Sequence, residues 1–155
     1  MWEGVPDSTT DPVATLSVFA PETMSSDGTY LTVSTPAARP RRSEVFLVDE
    51  IATLRSSASD IAGDANLPVG ALAAAGHLFA ADVNNSQVLV WEDIADALAG
   101  LSADAILGAS GASDTQPEIT RNQMFWPAVA SFDGDYLWVG ERKFSGRLIR
   151  FSPTG

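Results

Sequence analysis

Short runs rich in β-branched and aromatic residues recur along the chain: LTVST at 31–35, EVFLV at 44–48, HLFAAD at 77–82, QVLVW at 87–91, YLWVG at 136–140 and RLIRF at 147–151. Each is five or six residues long and bounded by Gly, Asn, Asp, Ser or Pro, which is the punctuation of strands and turns. None is long enough for a stable helix. The stretches DEIATLR (49–55) and EDIADALAG (92–100) depart from the pattern and predict one or two helical turns.

The runs belong to a repeat. APETMSSDGTYLTVST from Ala20, LPVGALAAAGHLFAAD from Leu67 and WPAVASFDGDYLWVGE from Trp126 align without gaps over sixteen residues. Each copy sets a proline ten residues before a leucine: Pro21 and Leu31, Pro68 and Leu78, Pro127 and Leu137. Glycine precedes that leucine by three residues in the outer copies (Gly28, Gly134) and by two in the middle one (Gly76). A second block follows at SEVFLVDEI (43–51), SQVLVWEDI (86–94) and GRLIRFSP (146–153), and a third at SDIAG (59–63) and DAILG (104–108). The spacing is 47 residues, then 59.

A four-stranded unit of this period, repeated radially, is a β-propeller blade. The strand after each proline would be the innermost, and its residues are suitably slim: Val69, Gly70, Ala71, Ala73, Ala128, Val129 and Ala130. The expected fold is all-β: a propeller segment of roughly three four-stranded blades, half of a six-bladed ring. The segments are residues 1–19 (the end of a preceding blade), 20–63, 64–108 and 109–155, the last lacking its fourth strand.

Composition changes this picture in three ways. Among 155 residues, 45% are hydrophobic, which excludes a wholly disordered polymer. There are no cysteines and one histidine, so disulfides, thiolate metal sites, cysteine nucleophiles and polyhistidine metal centres are outside its reach. Nine basic against twenty acidic residues give a net charge of −11, which opposes wholesale nucleic-acid binding while permitting a local basic face. No apolar run approaches the ~18–20 residues of a membrane helix, and no signal-peptide layout opens the sequence, so no membrane partner is expected and the compartment is left open.

LFAADVNNSQVLVW, Leu78 to Trp91, resembles the NHL repeat: a strand ends on an acidic residue, an asparagine-bearing turn follows, and a β-branched strand closes the hairpin. The first copy has Thr35 at the acidic position and inserts TPAARPRRS, and the third has Glu141 and a GERKFSG turn. The resemblance implies a non-catalytic binding or scaffolding module that takes a protein, or in some members single-stranded RNA, on its loop face. The alternative is the gluconolactonase-like propellers, hydrolases or lyases whose metal sits over the central channel. Peptide-amidating lyases share the fold but need several histidine ligands, which a single His77 does not supply.

MWEGV at the start aligns with VWEDI at 90–94, so Asp11–Phe19 is expected to be the fourth strand of a blade begun elsewhere, and the sequence stops at Phe151 in the same phase. Two explanations stand side by side. The chain is a fragment of a longer propeller, or two copies form a homodimer that completes a six-bladed ring, each donating 11–19 to the other and hiding open strand edges.

The candidate chemistry is sparse. His77 aligns with Tyr30 and Tyr136, as a polar-tipped ring at a hairpin entrance would. Asp82 and Glu141 end equivalent strands, Asp27 and Asp133 sit in matching turns, and Asp49, Glu50, Glu92 and Asp93 begin equivalent helical turns, all of which points to structural work. Asp82, Asn84 and Asn85 offer oxygen atoms to a hard cation at a generic spacing, and no cofactor is implied. The segment 108–116 is a flexible connection without a phosphate-loop lysine. The basic residues are more informative. Arg39, Arg41, Arg42, Arg142, Lys143 and Arg147 fall in or beside turns between second and third strands, and Arg121 precedes a first strand. These positions share one face of a propeller and form the candidate site for an anionic ligand. Phe125, Trp126 and Phe144 lie beside them in sequence, with Trp126 also a candidate for the core.

Overall fold

A computed structural model describes residues 21–35, 44–48, 54–57, 65–111 and 114–153, with 44–48 and 54–57 described by backbone alone. Eleven strands and one helix are present among them: β1 (Thr23–Ser26), β2 (Leu31–Thr35), β3 (Glu44–Val48), β4 (Leu54–Ser57), β5 (Pro68–Ala74), β6 (His77–Asp82), β7 (Gln87–Trp91), α1 (Ile94–Leu98), β8 (Ala105–Leu107), β9 (Pro127–Phe132), β10 (Leu137–Glu141) and β11 (Leu148–Phe151). They make three small antiparallel meanders, β1-β2-β3-β4, β5-β6-β7-β8 and β9-β10-β11, so the chain is all-β.

The outer hairpins close as their sequences require. In the β1–β2 turn, Asp27 Oδ1 accepts the Thr29 and Tyr30 N–H groups at 2.8 Å each, and Gly28 takes φ +94°. In the β9–β10 turn, Asp133 Oδ1 accepts the Asp135 and Tyr136 N–H groups at 3.0 and 2.8 Å, and Gly134 takes φ +107°. The middle hairpin is shorter, since β5 ends at Ala74 and β6 begins at His77. Ala75 and Gly76 both have positive φ, 51° and 83°, as a two-residue turn of primed type demands. That shorter turn is why the middle glycine stands one position closer to its leucine.

Sheet β5–β8 is packed on both faces. One face, with Ala71, Ala73, Leu78, Ala80, Leu89 and Trp91, is covered by Ile94 and Ala97 of α1 and by Tyr30 from the first sheet. The other face, with Leu72, Ala74, Phe79, Ala81 and Val88, meets Leu137, Val139, Phe132 and Ile149 of the third sheet, with Met124 between. Every residue of β5 is therefore buried and PVGALAA shows no polar alternation. By contrast β9, PAVASF, alternates in burial because one of its faces is open. Val129, expected to be crowded near an axis, is on that open face and 54% exposed.

The first strands of the three sheets lie together, with β5 against both β1 and β9. On one side, the Thr23 and Ser34 hydroxyls donate to Val69 O at 2.6 and 2.5 Å, and the Thr32 hydroxyl to Ala71 O at 2.9 Å. Those bonds satisfy both the buried hydroxyls and the carbonyls of an edge strand. On the other side, Gly70 comes so close to β9 that a Cβ there would lie 2.5 Å from Ala128 O.

The predicted helical turn at 92–100 is α1, capped by Asp93, whose carboxylate accepts the Ala95 N–H at 2.8 Å. The block 104–108 contains β8, whereas in the first sheet β4 uses Leu54–Ser57. Leu54 and Arg55 are thus strand where the sequence pattern predicted helix. A helical turn across 49–53, the block 59–63 and the strand expected at 11–19 lie outside the described residues.

Because the neighbour of Gly70 is backbone and not a yielding side chain, Gly70→Ala is expected to destabilise the fold by about 1–3 kcal/mol. Gly111→Ala, with nothing within 4 Å of the added carbon, is expected to change little. Thermal unfolding followed by circular dichroism measures both, and equal melting temperatures would contradict the close approach of β5 and β9.

Candidate functional site

The site is built from the end of β10 outward. Both β6 and β10 end on an acidic residue whose carboxylate folds back on the chain before the sheet's first strand. Asp82 Oδ2 accepts the Asn66 N–H at 2.8 Å, and Glu141 Oε1 accepts the Phe125 N–H at 2.7 Å, each sixteen residues upstream. The residue after each clamped N–H, Leu67 or Trp126, has positive φ (82° and 53°) and precedes the proline that opens the strand. Leu67 O and Trp126 O then receive the N–H groups of Val83 and Arg142. The same clasp therefore closes the second and third sheets. It holds a non-glycine residue in a backbone region that L-residues adopt at a cost of roughly 1–3 kcal/mol.

The two clasps differ in electrostatics. Asp82 is 0% exposed, and its Oδ2 also accepts the side-chain amides of Asn85 (2.8 Å) and Gln87 (3.4 Å), while Oδ1 has no hydrogen-bond partner. Burial pushes its carboxyl above the ordinary aspartate range, against the pull of those hydrogen bonds. The Asn85 amide presents N–H to Asp82, and the Asn84 amide donates to Asn66 Oδ1 at 3.3 Å, so these two side chains serve the turn as donors. At Glu141, burial likewise pushes upward, but the Arg147 guanidinium and the Phe125 N–H outweigh it and hold the carboxyl below the usual range. Arg147 grips both carboxylate oxygens, Nε to Oε2 and Nη2 to Oε1 at 2.7 Å each.

Arg147 also donates to Thr120 O (2.7 Å) and Gln123 O (3.0 Å), so all three of its nitrogens are engaged and it ties the β10–β11 loop to the irregular stretch before β9. That tie assembles an aromatic cluster. Phe125 meets Phe144 edge-to-face at 5.7 Å between centroids, Trp126 lies 5.3 Å from Phe125 and 5.8 Å from Phe144, and Lys143 Nζ sits 4.8 Å above the Trp126 ring. Trp126 is half-buried, packed from below by Val69, Val83 and Ala128, whereas Phe144 is 73% exposed. Arg142 lies 3.9 Å from Glu22, an exposed pair of small energetic weight.

Of the seven basic residues singled out in the sequence, the structure gathers Arg142, Lys143 and Arg147 in the β10–β11 loop, with Arg121, exposed, in the stretch that Arg147 holds. Arg39, Arg41 and Arg42 fall between the end of β2 and the start of β3 and lie outside the described residues. His77 is a partly buried ring 6.0 Å from Phe79 with Nδ1 unpartnered. Among the described residues no three His, Asp or Glu side chains gather as a metal-holding group, and no helix is long and apolar enough to cross a membrane. The Glu141–Arg147 pairing was not legible in the sequence. Its signal, an acid and an arginine six residues apart on either side of a hairpin, is visible only once the strand ends are known.

No family model matches this chain, and neither does any curated protein.

The opposite shifts of the two clasp carboxylates predict opposite pH responses. Asp82 has a raised pKa in the fold, so its favourable contribution is present at acid pH and is lost as pH rises through that value. Glu141 has a lowered pKa, so its contribution is present above the ordinary glutamate value and is lost as pH falls through the lowered one. Asp82→Asn, which keeps the acceptor and removes the buried charge, should be neutral or stabilising near pH 7. Glu141→Gln should cost roughly 3 kcal/mol there, with the gap from wild type closing in acid. Urea unfolding across the acid range reads both, and parallel pH profiles for the two variants would contradict the assignment.

Proposed function

We propose that the three sheets are successive blades of an NHL-like β-propeller segment, and that the chain is a binding or scaffolding module without catalytic activity. Its ligand, a protein or other anionic molecule, docks on the loop face beside Lys143 and Phe144. The observation that carries this reading is the exposed, cation-bearing aromatic cluster on a loop that a partly buried ion pair holds in place. An exposed phenylalanine packed edge-to-face on a half-buried pair presents apolar area at little cost in side-chain entropy. Arg121, Arg142 and Lys143 add positive charge around it, in a chain whose net charge is −11. Support for the blade reading comes from the meander order of every sheet, the side-by-side first strands and the recurrence of one clasp and one Asp turn at equivalent positions.

Within this reading Arg147 is a positioning residue: its nitrogens are spent on Glu141 and two carbonyls, and the contact residues are Lys143, Phe144, Arg142 and Arg121.

Fluorescence anisotropy with a labelled acidic peptide, a single-stranded oligouridylate and an uncharged peptide tests this. At least one anionic probe should bind more tightly than the uncharged one, and Lys143→Ser with Phe144→Ser should weaken it on the order of tenfold or more. Binding should fall as salt rises, with a shallower slope in the double variant. Equal affinity for all three probes, or no effect of the double substitution, would reject the loop face.

A further inference from the structure

We infer that the open face of the third sheet is the docking surface for the first sheet of a second copy of this chain. The β5–β8 and β9–β11 sheets share a register, in which Gly70, Leu72, Phe79 and Ala81 correspond to Val129, Ser131, Trp138 and Gly140. Val88, opposite Ala81, corresponds to Leu148, opposite Gly140. In the second sheet this face is closed by the third: Leu72 and Phe79 are 8% and 7% exposed, and Ala81 and Val88 are 0%. In the first sheet the matching residues Thr23, Thr32 and Ser34 reach β5 and donate to its carbonyls. The third instance of the surface is met by no other sheet among the described residues: Val129 is 54% and Leu148 74% exposed, while Trp138, 36% exposed, carries the Arg150 guanidinium 5.8 Å from its ring centre.

The two covered instances identify what fits the third, namely another sheet of the same repeat with its first strand against β9. The face that does the covering is also defined. On the third sheet it carries Ala130, Leu137 and Val139. The corresponding face of the first sheet carries Met24, Leu31 and Val33, with Met24 opposite Val33 and largely exposed. Val129 fits such a joint, because Thr23, which has the same branched shape, already occupies that register position at the joint between the first and second sheets.

The partner is a second copy by count. Rings of this kind close with about four to eight sheets, and the described residues of each copy supply three, so two copies together supply the six of a closed ring. Both joints of the pair are then identical, third sheet to first sheet, as a two-fold axis requires. Only this ring count rests on the blade reading proposed above. The docking face rests on the burial of its two counterparts.

Light scattering coupled to size exclusion tests the inference on the 155-residue chain. The expected mass is twice 16.3 kDa. Leu148→Asp and, separately, Val129→Asp should weaken the dimer by about a hundredfold, since each replaces an apolar side chain of the joint by a charge that must lose its water. Ile119→Asp, equally exposed but off this face, should leave the dimer intact. Circular dichroism shows whether each variant is folded, and the exposure of Leu148 makes its replacement harmless to the single chain. A monomeric wild type, an assembly of three copies, or a dimer indifferent to both face substitutions would overturn the inference. Lys143 and Phe144 lie in the loop and not on this sheet face, so loss of ligand binding with an intact dimer, or the reverse, separates failure of the loop-face reading from failure of this one.

Discussion

Everything in this molecule is arranged around β5. It is the edge strand of its own sheet, yet both its neighbours in space are the first strands of other sheets, so it has side-chain room on neither side. The chain meets that constraint with small residues and with hydroxyls. Gly70 admits the backbone of β9, and Thr23, Thr32 and Ser34 turn what would be a clash or an unsatisfied edge into a row of hydrogen bonds. Dispersion and hydrophobic burial then follow on both faces of the second sheet, where Leu78, Leu89, Trp91 and Val88 are fully enclosed. Among the described residues the hydrophobic cores on the two faces of this sheet are separate clusters.

The abundance of acid in the chain looks different once its positions are known. Asp27 and Asp133 close turns, Asp93 caps a helix, and Asp82 and Glu141 clasp the entry to the first strand of their sheets. Each of these carboxylates accepts backbone N–H groups, which is a structural use of charge. Even Asp133, exposed in its turn, is held below the usual range by the Trp138 indole N–H, at 2.7 Å, and by its own turn amides. The loop between β10 and β11 is the exception to this inward orientation. There the ion pair at its base fixes the backbone, and the side chains that remain, Lys143 and Phe144, point their chemistry outward.

Much of the fold could be read from residue spacing. The gapless alignment of Pro21, Pro68 and Pro127 anticipated three first strands, whereas the shifted glycine of the middle copy was a bare position until the two-residue turn at Ala75 and Gly76 explained it. Period-two burial in β9 against continuous burial in β5 follows from which sheet lies in the middle, and no local pattern states that order. The fourth strand of the first sheet was misjudged because DEIATLR carries helical spacing, and pairing of β4 with β3 overrode that local preference at Leu54. At the site, the basic character of the β10–β11 loop was legible, but the division of labour within it was not. Arg142, Lys143 and Arg147 look alike in sequence, and only the three-dimensional position of Glu141, Thr120 and Gln123 makes Arg147 a strut and leaves Lys143 exposed over Trp126.

Three repeated sheets held through β5 as one cooperative body leave a signature in native-state hydrogen exchange. The amides of β6 and β7, enclosed between two covered faces, are expected to exchange only on global unfolding, and those of β11, at the edge of its sheet, measurably faster. Exchange from β6 and β7 as fast as from β11, or sheets that open independently with unrelated free energies, would contradict it.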